Sequence, residues 1–442
     1  MAMNLKPESS GEPSQSTSLR AFFRRDVVVV LMVAWAARLT FILLMPVHTR
    51  SFDSLAWETV LSDLSAGQNP YQTTHFLSWP PFWLQVLFVI SKISTALSIP
   101  FFRVLQAVLI LVESIVIVLL VKLVREVVPE TRVRALVILG IALNPAAVFL
   151  ICQHCNFDVF VALWLMFFML HLVRYSRGKN EADWLAACLF LGLGILTKTV
   201  PFILIPMLAG GFREAAKLVK FLGLVLVFGP AALGMSVIYV LAPSDATSKI
   251  LQYHGIGGSF GFAGLFRMAG MEQITSFYNL FFYGLLFAAM ISTSILFWRH
   301  RFIGSREIVL LASLFLVGIA VLGPAYAPQY LYWFLPFLVA TFAFFDKRWQ
   351  QLLMGFGLIA ACTYLVEYAL VGSDGMFLLK ILTVDKSTLY QAVSLLPVIQ
   401  ACESPTGSTL IRLPLFLAYL VLLGMGISML FRRLKNHPDR QI

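Results

Sequence analysis

The chain has 442 residues, of which 59% are hydrophobic and only 12% charged, and its mean hydropathy is +0.85. Soluble domains carry about 25% charged residues, so this composition excludes an ordinary soluble domain and marks a polytopic membrane protein whose solvent is the lipid bilayer. The formal net charge of +11 invites a nucleic-acid reading, which the placement of the positive residues removes below.

Residues 1–19 are polar and rich in Ser and Pro, and read as a disordered cytoplasmic tail. Arg20, Arg24 and Arg25 then precede an apolar segment long enough to span, so this is an anchor rather than a cleaved signal. Judged against the ~20 apolar residues that a crossing helix needs, spans are predicted at 27–46, 101–121, 135–151, 159–173, 184–197, 200–211, 221–240, 277–297, 307–322, 330–345, 350–370 and 411–430. The expected fold is therefore an all-α bundle of about 12 transmembrane helices, in one membrane domain over residues 20–431. The segment 200–211 is too short to cross alone and should be broken or tilted.

With the N-terminus inside, most of the 33 Lys and Arg fall on inner segments: Lys122–Arg134, Arg174–Lys179, Arg213–Lys220, Arg299–Arg306 and a basic cytoplasmic tail over 432–442. This is the positive-inside pattern, and it accounts for the net charge without nucleic acid. It also bears on "FWLQVLFVISKISTALS", residues 82–98. A crossing there would put the Lys122–Arg134 cluster outside, so the segment reads as interfacial or re-entrant at the outer leaflet. Loop mass concentrates outside, at 47–100, 241–276 and 371–410, and loops on a rigid scaffold are where chemistry tends to sit.

Taken along the chain, the first outer loop offers Asp53, Glu58 and Asp63. Steps of five on a helix turn about 140° beyond a full circle, so the three do not share a face. Phe52, Leu55, Trp57 and Leu61 make the segment amphipathic. An apolar setting raises a carboxylate's pKa and suits it to act as a base, which makes Asp53 the first catalytic candidate, against the bland alternative of a solvated acidic loop. "GQNPY", ending in Tyr71, is a turn, and "WPPFW", opening on Trp79, suits a helix start at an interface.

Within the bundle, Arg38 and Glu113 each fall near the centre of a span. A charge there costs about 2.5–3.5 kcal/mol on insertion scales, so the two are expected to pair as a brace. In "LNPAAVFLICQHCNFD", Asn144-Pro145 predicts a kink, and Gln153, His154, Asn156 and Asp158 crowd the outer turn on the side of Asp53. A plain connecting loop is the competing reading. Cys152 and Cys155 have metal-motif spacing, but no second Cys pair follows, so packing is expected rather than zinc. In "LTKTVPFILIP", Lys198 stands alone at a helix break, either snorkelling or lining a cavity as an anion ligand. His254 and Arg267 in "YHGIGGSFGFAGLFR" are further candidate anion ligands. In "YAPQYLYWFLP", Gln329 and Tyr330 stand at an outer helix start, where an aromatic belt accounts for the rings but packing does not account for Gln329.

In this order the pieces resemble the GT-C superfamily of membrane glycosyltransferases, over roughly residues 30–340. Asp53 with "GQNPY" and "WPP" looks like its bacterial polyprenyl-phosphate-sugar branch. "LNPAAVFLICQHCNFD" and "LTKTVPFILIP" look like the stretch shared by glycosylphosphatidylinositol mannosyltransferase I and the dolichyl-phosphate-glucose glucosyltransferases. The resemblance implies a GT-C-like bundle with interfacial helices in the first outer loop, and a site facing the outer side, as in a bacterial plasma membrane.

The reaction it implies is inverting transfer of a hexose, mannose or glucose, from a polyprenyl-phosphate-sugar donor to a glycan or glycolipid acceptor. Asp53 would be the base. Lys198, His254 and Arg267 would meet the donor phosphate, and Glu58, Tyr71, Trp79, His154, Asp158, Gln329 and Tyr330 would line the substrates. No cofactor is implied. Family members often carry an acidic pair in the first loop, whereas Asp53 has no adjacent acid, so a divalent cation is not indicated by the residues. A transporter or flippase would show paired halves and midplane polar helices, and no such halves are visible. A glycan polymerase or ligase would carry its residues in one large late outer loop, whereas here they begin in the first.

Overall fold

The computed structural model describes residues 15–44, 52–74, 77, 79–128, 133–241, 250, 260–299, 304–323, 328–343 and 404–435, with 355, 359, 360, 362 and 363. All regular structure among them is helical. Helix α1 runs Gln15–Leu44, so residues 15–19, expected in the tail, are helical. After it come α2 (Phe52–Ser65), α3 (Pro70–Thr73), α4 (Phe82–Leu97) and α5 (Phe101–Val127). The next segment is broken: α6 (Val133–Val137) and a π-turn (Ile138–Ala142) lead to Asn144, then α7 (Pro145–Phe149) and a second π-turn (Leu150–His154). Then come α8 (Asp158–Gly178), α9 (Glu181–Thr197), a 3-10 helix (Val200–Leu208), α10 (Ala209–Glu214) and α11 (Lys217–Leu241). The rest comprises α12 (Gly261–Met268), α13 (Glu272–Arg299), α14 (Ser305–Leu322), a 3-10 turn (Pro328–Tyr330), α15 (Leu331–Phe342) and α16 (Pro405–Lys435). Arg432 and Arg433, expected in the C-terminal tail, belong to α16.

Among the described residues seven helices are long and apolar enough to cross a bilayer, or eight if the bent pair over 135–154 counts as one span. Several of the expected spans fall below that length among the described residues. Helix α9 has 17 residues and α15 has 12, and 200–214 is divided between a 3-10 helix of 9 residues and an α-turn of 6. The span expected at 350–370 lies almost wholly outside the described residues. Residues 82–97 form a single 16-residue helix that buries Trp83, Leu87 and Ile90 and exposes Phe88, Val89 and Leu97, an amphipathic pattern suited to the edge of a bundle.

Helices α5 and α8 are the most deeply buried of the candidate spans, and α8 packs on α5, α9 and α15. Close approach is licensed by glycine: a Cβ on Gly192 of α9 would meet the Leu226 carbonyl oxygen of α11 at 2.1 Å. The kink expected at Asn144-Pro145 is present, with 49° between the two halves. Asn144 holds it on both sides. Its Oδ1 accepts from Ala146 N at 3.0 Å and its Nδ2 donates to Gly140 O at 3.2 Å.

The expected Arg38–Glu113 pair is also present. Arg38 Nε donates to Glu113 Oε2 at 2.8 Å and Nη2 to Oε1 at 2.5 Å. Tyr332 OH donates to the same carboxylate. The remaining Arg38 donors reach Ala142 O, and Ile141 O at 3.2 Å, which are carbonyls at the break. Toward one end of the bundle, Arg125–Asp26 (2.9 Å), Arg177–Glu126 (2.8 Å) and Lys179–Glu214 (3.0 Å) tie helix ends together.

Candidate active site

The site is assembled where α2 docks on the second π-turn. That turn ends at Cys155, whose φ of 52° is left-handed, a conformation that costs a non-glycine residue roughly 1–2 kcal/mol. The reversal aims His154 and Asn156 at α2. Trp57 Nε1 donates to Cys155 O at 3.3 Å and Gln106 of α5 donates to Cys152 O, so carbonyls freed at the helix end are satisfied by side chains from neighbouring helices, as a buried helix end demands. The Cys152 and Cys155 thiols are buried and face backbone carbonyls, Cys155 Sγ lying 3.5 Å from Ile151 O.

Asp53 sits in the first turn of α2. Its Oδ2 lies 3.0 Å from His154 Nε2 and accepts from Asn156 Nδ2 at 2.6 Å. Asn156 uses its other end as well, accepting from Asp158 N at 3.0 Å to start α8. The Asp53 side chain remains 20% exposed while His154 is 5% exposed. Burial by itself pushes the Asp53 carboxyl up. Against it, the charge and hydrogen bond of His154, the Asn156 amide and nearby Lys198 together hold it below the usual carboxylate range. The expectation of a raised pKa is thus corrected: polar neighbours on the π-turn outweigh the apolar setting.

The second half of the site is built around Lys198, the residue after α9, in extended conformation. It was expected to stand alone, and it does not. Its Nζ donates to Asp158 Oδ1 at 2.8 Å, and Trp333 Nε1 of α15 donates to the same oxygen at 2.6 Å. Four rings surround the ammonium, with centroids at 4.2 Å (Trp79), 4.8 Å (Trp333), 5.2 Å (Phe157) and 5.2 Å (Tyr330). Tyr330 stacks on Trp333 at 4.0 Å. An ammonium has three N–H donors, and the described hydrogen bonds use one. Asp158 Oδ2 is buried with no hydrogen-bond partner among the described residues, and so is Gln329 Oε1.

Of the expected site residues, Asp53, His154, Asp158, Lys198, Trp79 and Tyr330 therefore converge. Tyr71 supports the site indirectly, its hydroxyl donating to Trp79 O at 2.9 Å. Glu58 is half-buried on α2, and Asp63 accepts from Thr73 Oγ1 at 2.7 Å. Arg267 is exposed on α12 and lies 3.9 Å from Glu272, with no contact to the cluster among the described interactions. His254 lies outside the described residues. Among the described residues no three His, Cys, Asp or Glu side chains converge as metal ligands. Trp333 and Asn156 were not among the expected site residues; an indole N–H in an apolar segment and an Asn two residues before a helix start were the available signals.

Residues 81–238 match a family model described as dolichyl-phosphate-mannose-protein mannosyltransferase. The stretch holds His154, Asn156, Asp158 and Lys198. The resemblance read from the sequence is borne out over this GT-C stretch, which lies within an all-α polytopic membrane protein. No curated protein matches the chain. Among solved structures, the crystal structure of ArnT from Cupriavidus metallidurans bound to undecaprenyl phosphate is similar at 14% identity, covering 93% of this chain and 78% of that one, with a TM-score of 0.49. A likeness at that level transfers nothing residue by residue.

Proposed function

We propose that this protein is a polyprenyl-phosphate-dependent glycosyltransferase that moves a hexose, mannose or glucose, with inversion, to a glycolipid or envelope-glycan acceptor on the outer side of the membrane. The observation that carries this reading is the Asp53 cluster: a largely buried carboxylate with a fifth of its side chain open at 20% exposure, oriented by His154 and Asn156, beside a caged ammonium in the stretch that resembles the GT-C superfamily. Asp53 Oδ takes the proton of the acceptor hydroxyl as that oxygen bonds to the anomeric carbon. The bond from the anomeric carbon to the phosphate oxygen breaks, and its electron pair leaves on the polyprenyl phosphate, which gains negative charge. A base of lowered pKa takes its proton late, as bond formation acidifies the acceptor oxygen.

Lys198 meets the growing phosphate charge. Asp158 and the four rings fix the ammonium, and the donors that Asp158 does not use are available to the phosphate. Preorganised donors at developing charge give the largest single contribution in many enzymes. The site residues lie around the end of α1 that leads into the first loop, and the positive-inside distribution puts that loop outside.

The test is transfer from radiolabelled polyprenyl-phosphate-mannose and polyprenyl-phosphate-glucose in proteoliposomes, wild type against Asp53→Asn. Transfer by wild type and its loss in the variant supports the reading. Lipid translocation without a new glycosidic bond would instead make the protein a flippase, and activity confined to a lipid-diphosphate glycan would make it a polymerase or ligase.

A further inference from the structure

The Arg38–Glu113–Tyr332 network lies away from the cluster just described, in the interior of the bundle, and the proposed reaction does not use it. All three side chains are buried. The network joins four elements. Arg38 comes from α1, Glu113 from α5 and Tyr332 from α15, and the carbonyls of Ile141 and Ala142 belong to the π-turn at the break. Two of these elements run on directly into the site. Beyond the break, the second half of the bent segment ends in His154, which with Asn156 holds Asp53. On α15, the residue after Tyr332 is Trp333, whose indole holds Asp158 and stands over Lys198. Consecutive helical residues point about 100° apart, so fixing the Tyr332 hydroxyl on Glu113 fixes the direction of the Trp333 indole.

The break gives Arg38 its leverage. The π-turn and Pro145 leave the Ala142 carbonyl without its ordinary helical partner and the Ile141 carbonyl with a bond of 3.2 Å from Asn144 N in place of the one that Pro145 lacks, and at membrane depth such groups must be satisfied by protein. Arg38 supplies the donors, so the 49° bend is held against α1 and α5 by hydrogen bonds. Cys152, beyond the break, closes the loop, with Sγ 3.9 Å from Arg38 O.

We propose that Arg38, Glu113 and Tyr332 are positioning residues for the transfer reaction: one buried network sets both the bend that delivers His154 and Asn156 to Asp53 and the rotation of α15 that delivers Trp333 to Asp158 and Lys198. This rests on the transferase reading for its reaction, but its geometry stands apart from it. Because reacting groups are sensitive to displacements of about 1 Å, loosening the network lowers turnover more than substrate affinity.

The test uses Tyr332→Phe, which keeps the ring and removes only the hydroxyl. The full chain in proteoliposomes is assayed for kcat, KM for the lipid-phosphate donor, and melting temperature, with Glu113→Asp as a second variant. The expected result is a kcat lowered about tenfold to a hundredfold, with KM within about twofold and a melting temperature near that of wild type. Unchanged kcat in the folded Tyr332→Phe protein overturns the proposal, and so does a loss of kcat that is fully explained by a lower folded fraction. A second readout needs no activity. Spin labels at Leu55 on α2 and Phe202 beyond Lys198, both exposed, report the distance between the two halves of the site once Cys362 and Cys402 are replaced. Tyr332→Phe broadens that distribution if the network positions them, and an unchanged distribution overturns the proposal. If wild type transfers no sugar from any polyprenyl-phosphate donor, the proposed reaction fails while the distance measurement still decides positioning.

Discussion

Two buried charge clusters, one in the bundle interior and one at the end of the bundle that carries the first loop, use similar residues to opposite ends. In the interior, Arg38 spends its donors on Glu113 and on two carbonyls, and Tyr332 fills a remaining position on the carboxylate. At the other cluster, among the described residues, Asp158 leaves one oxygen without a partner, Lys198 makes one hydrogen bond, and Asp53 keeps a fifth of its side chain open at 20% exposure. Partly satisfied buried polar groups are costly. The difference teaches that a membrane interior tolerates charge as architecture when valences are filled, and that unfilled valences mark where a ligand belongs.

The sharpest break in that comparison comes from the filled cluster. Arg38→Leu and Glu113→Leu should each cost about 3–5 kcal/mol of stability, because each strands a buried charge. The double variant should regain part of that loss. Additive losses in detergent melts would show that the two act separately.

Next is Lys198→Ala, which should lower transfer ~10²–10³-fold and weaken donor binding. It also orphans Asp158, so Lys198→Ala with Asp158→Asn should restore melting without restoring transfer. Recovery of transfer in the double variant would reduce Lys198 to a counter-ion.

Asp53→Asn should lose at least ~10²-fold in turnover while still binding polyprenyl phosphate. Glu58→Gln and Asp63→Asn should be much milder. Near-normal turnover of Asp53→Asn returns the loop to a solvated acidic surface.

The smallest effect is in pH. The fold holds the Asp53 carboxyl below the usual carboxylate range, so its ionised form contributes stability above the unfolded pKa, and the contribution is lost as pH falls through the folded pKa. The melting advantage of wild type over Asp53→Asn should be constant near neutrality and shrink below about pH 4. An advantage that grows on acidification would reverse the sign of the pairing.

Much of this was legible in the sequence because it is written locally or by exclusion. Lone charges within apolar spans must find each other, which gave Arg38 and Glu113. Asn144-Pro145 must break a helix, and the polar run after it shares the end of the bundle that holds Asp53. What stayed hidden depends on contacts between segments far apart in the chain. Asp158 is 40 residues from Lys198 and Trp333 is 175 residues from Asp158, so the lysine looked solitary. Span lengths were not legible because hydropathy registers apolar runs but not where a helix stops, and α9 and α15 are short. The lowered pKa of Asp53 was invisible because its cause, His154 and Asn156, arrives through a left-handed Cys155 that no residue preference announces.

The shortness of α9 also has a consequence for the lipid around it. Its 17 residues at about 1.5 Å each reach roughly 26 Å, against the ~30 Å of a typical hydrocarbon core. Lys198 therefore sits below the level at which lipid headgroups would float beside a full-length span, unless the bilayer thins to meet it. Mismatch of this kind costs fractions of a kcal/mol per ångström, an expense repeated at the 12-residue α15. A thinned annulus would lower headgroup phosphates toward the ammonium, making membrane thickness a control on encounter. Proteoliposomes of shorter-chain phospholipids should then turn over faster at low donor concentration than those of longer-chain ones.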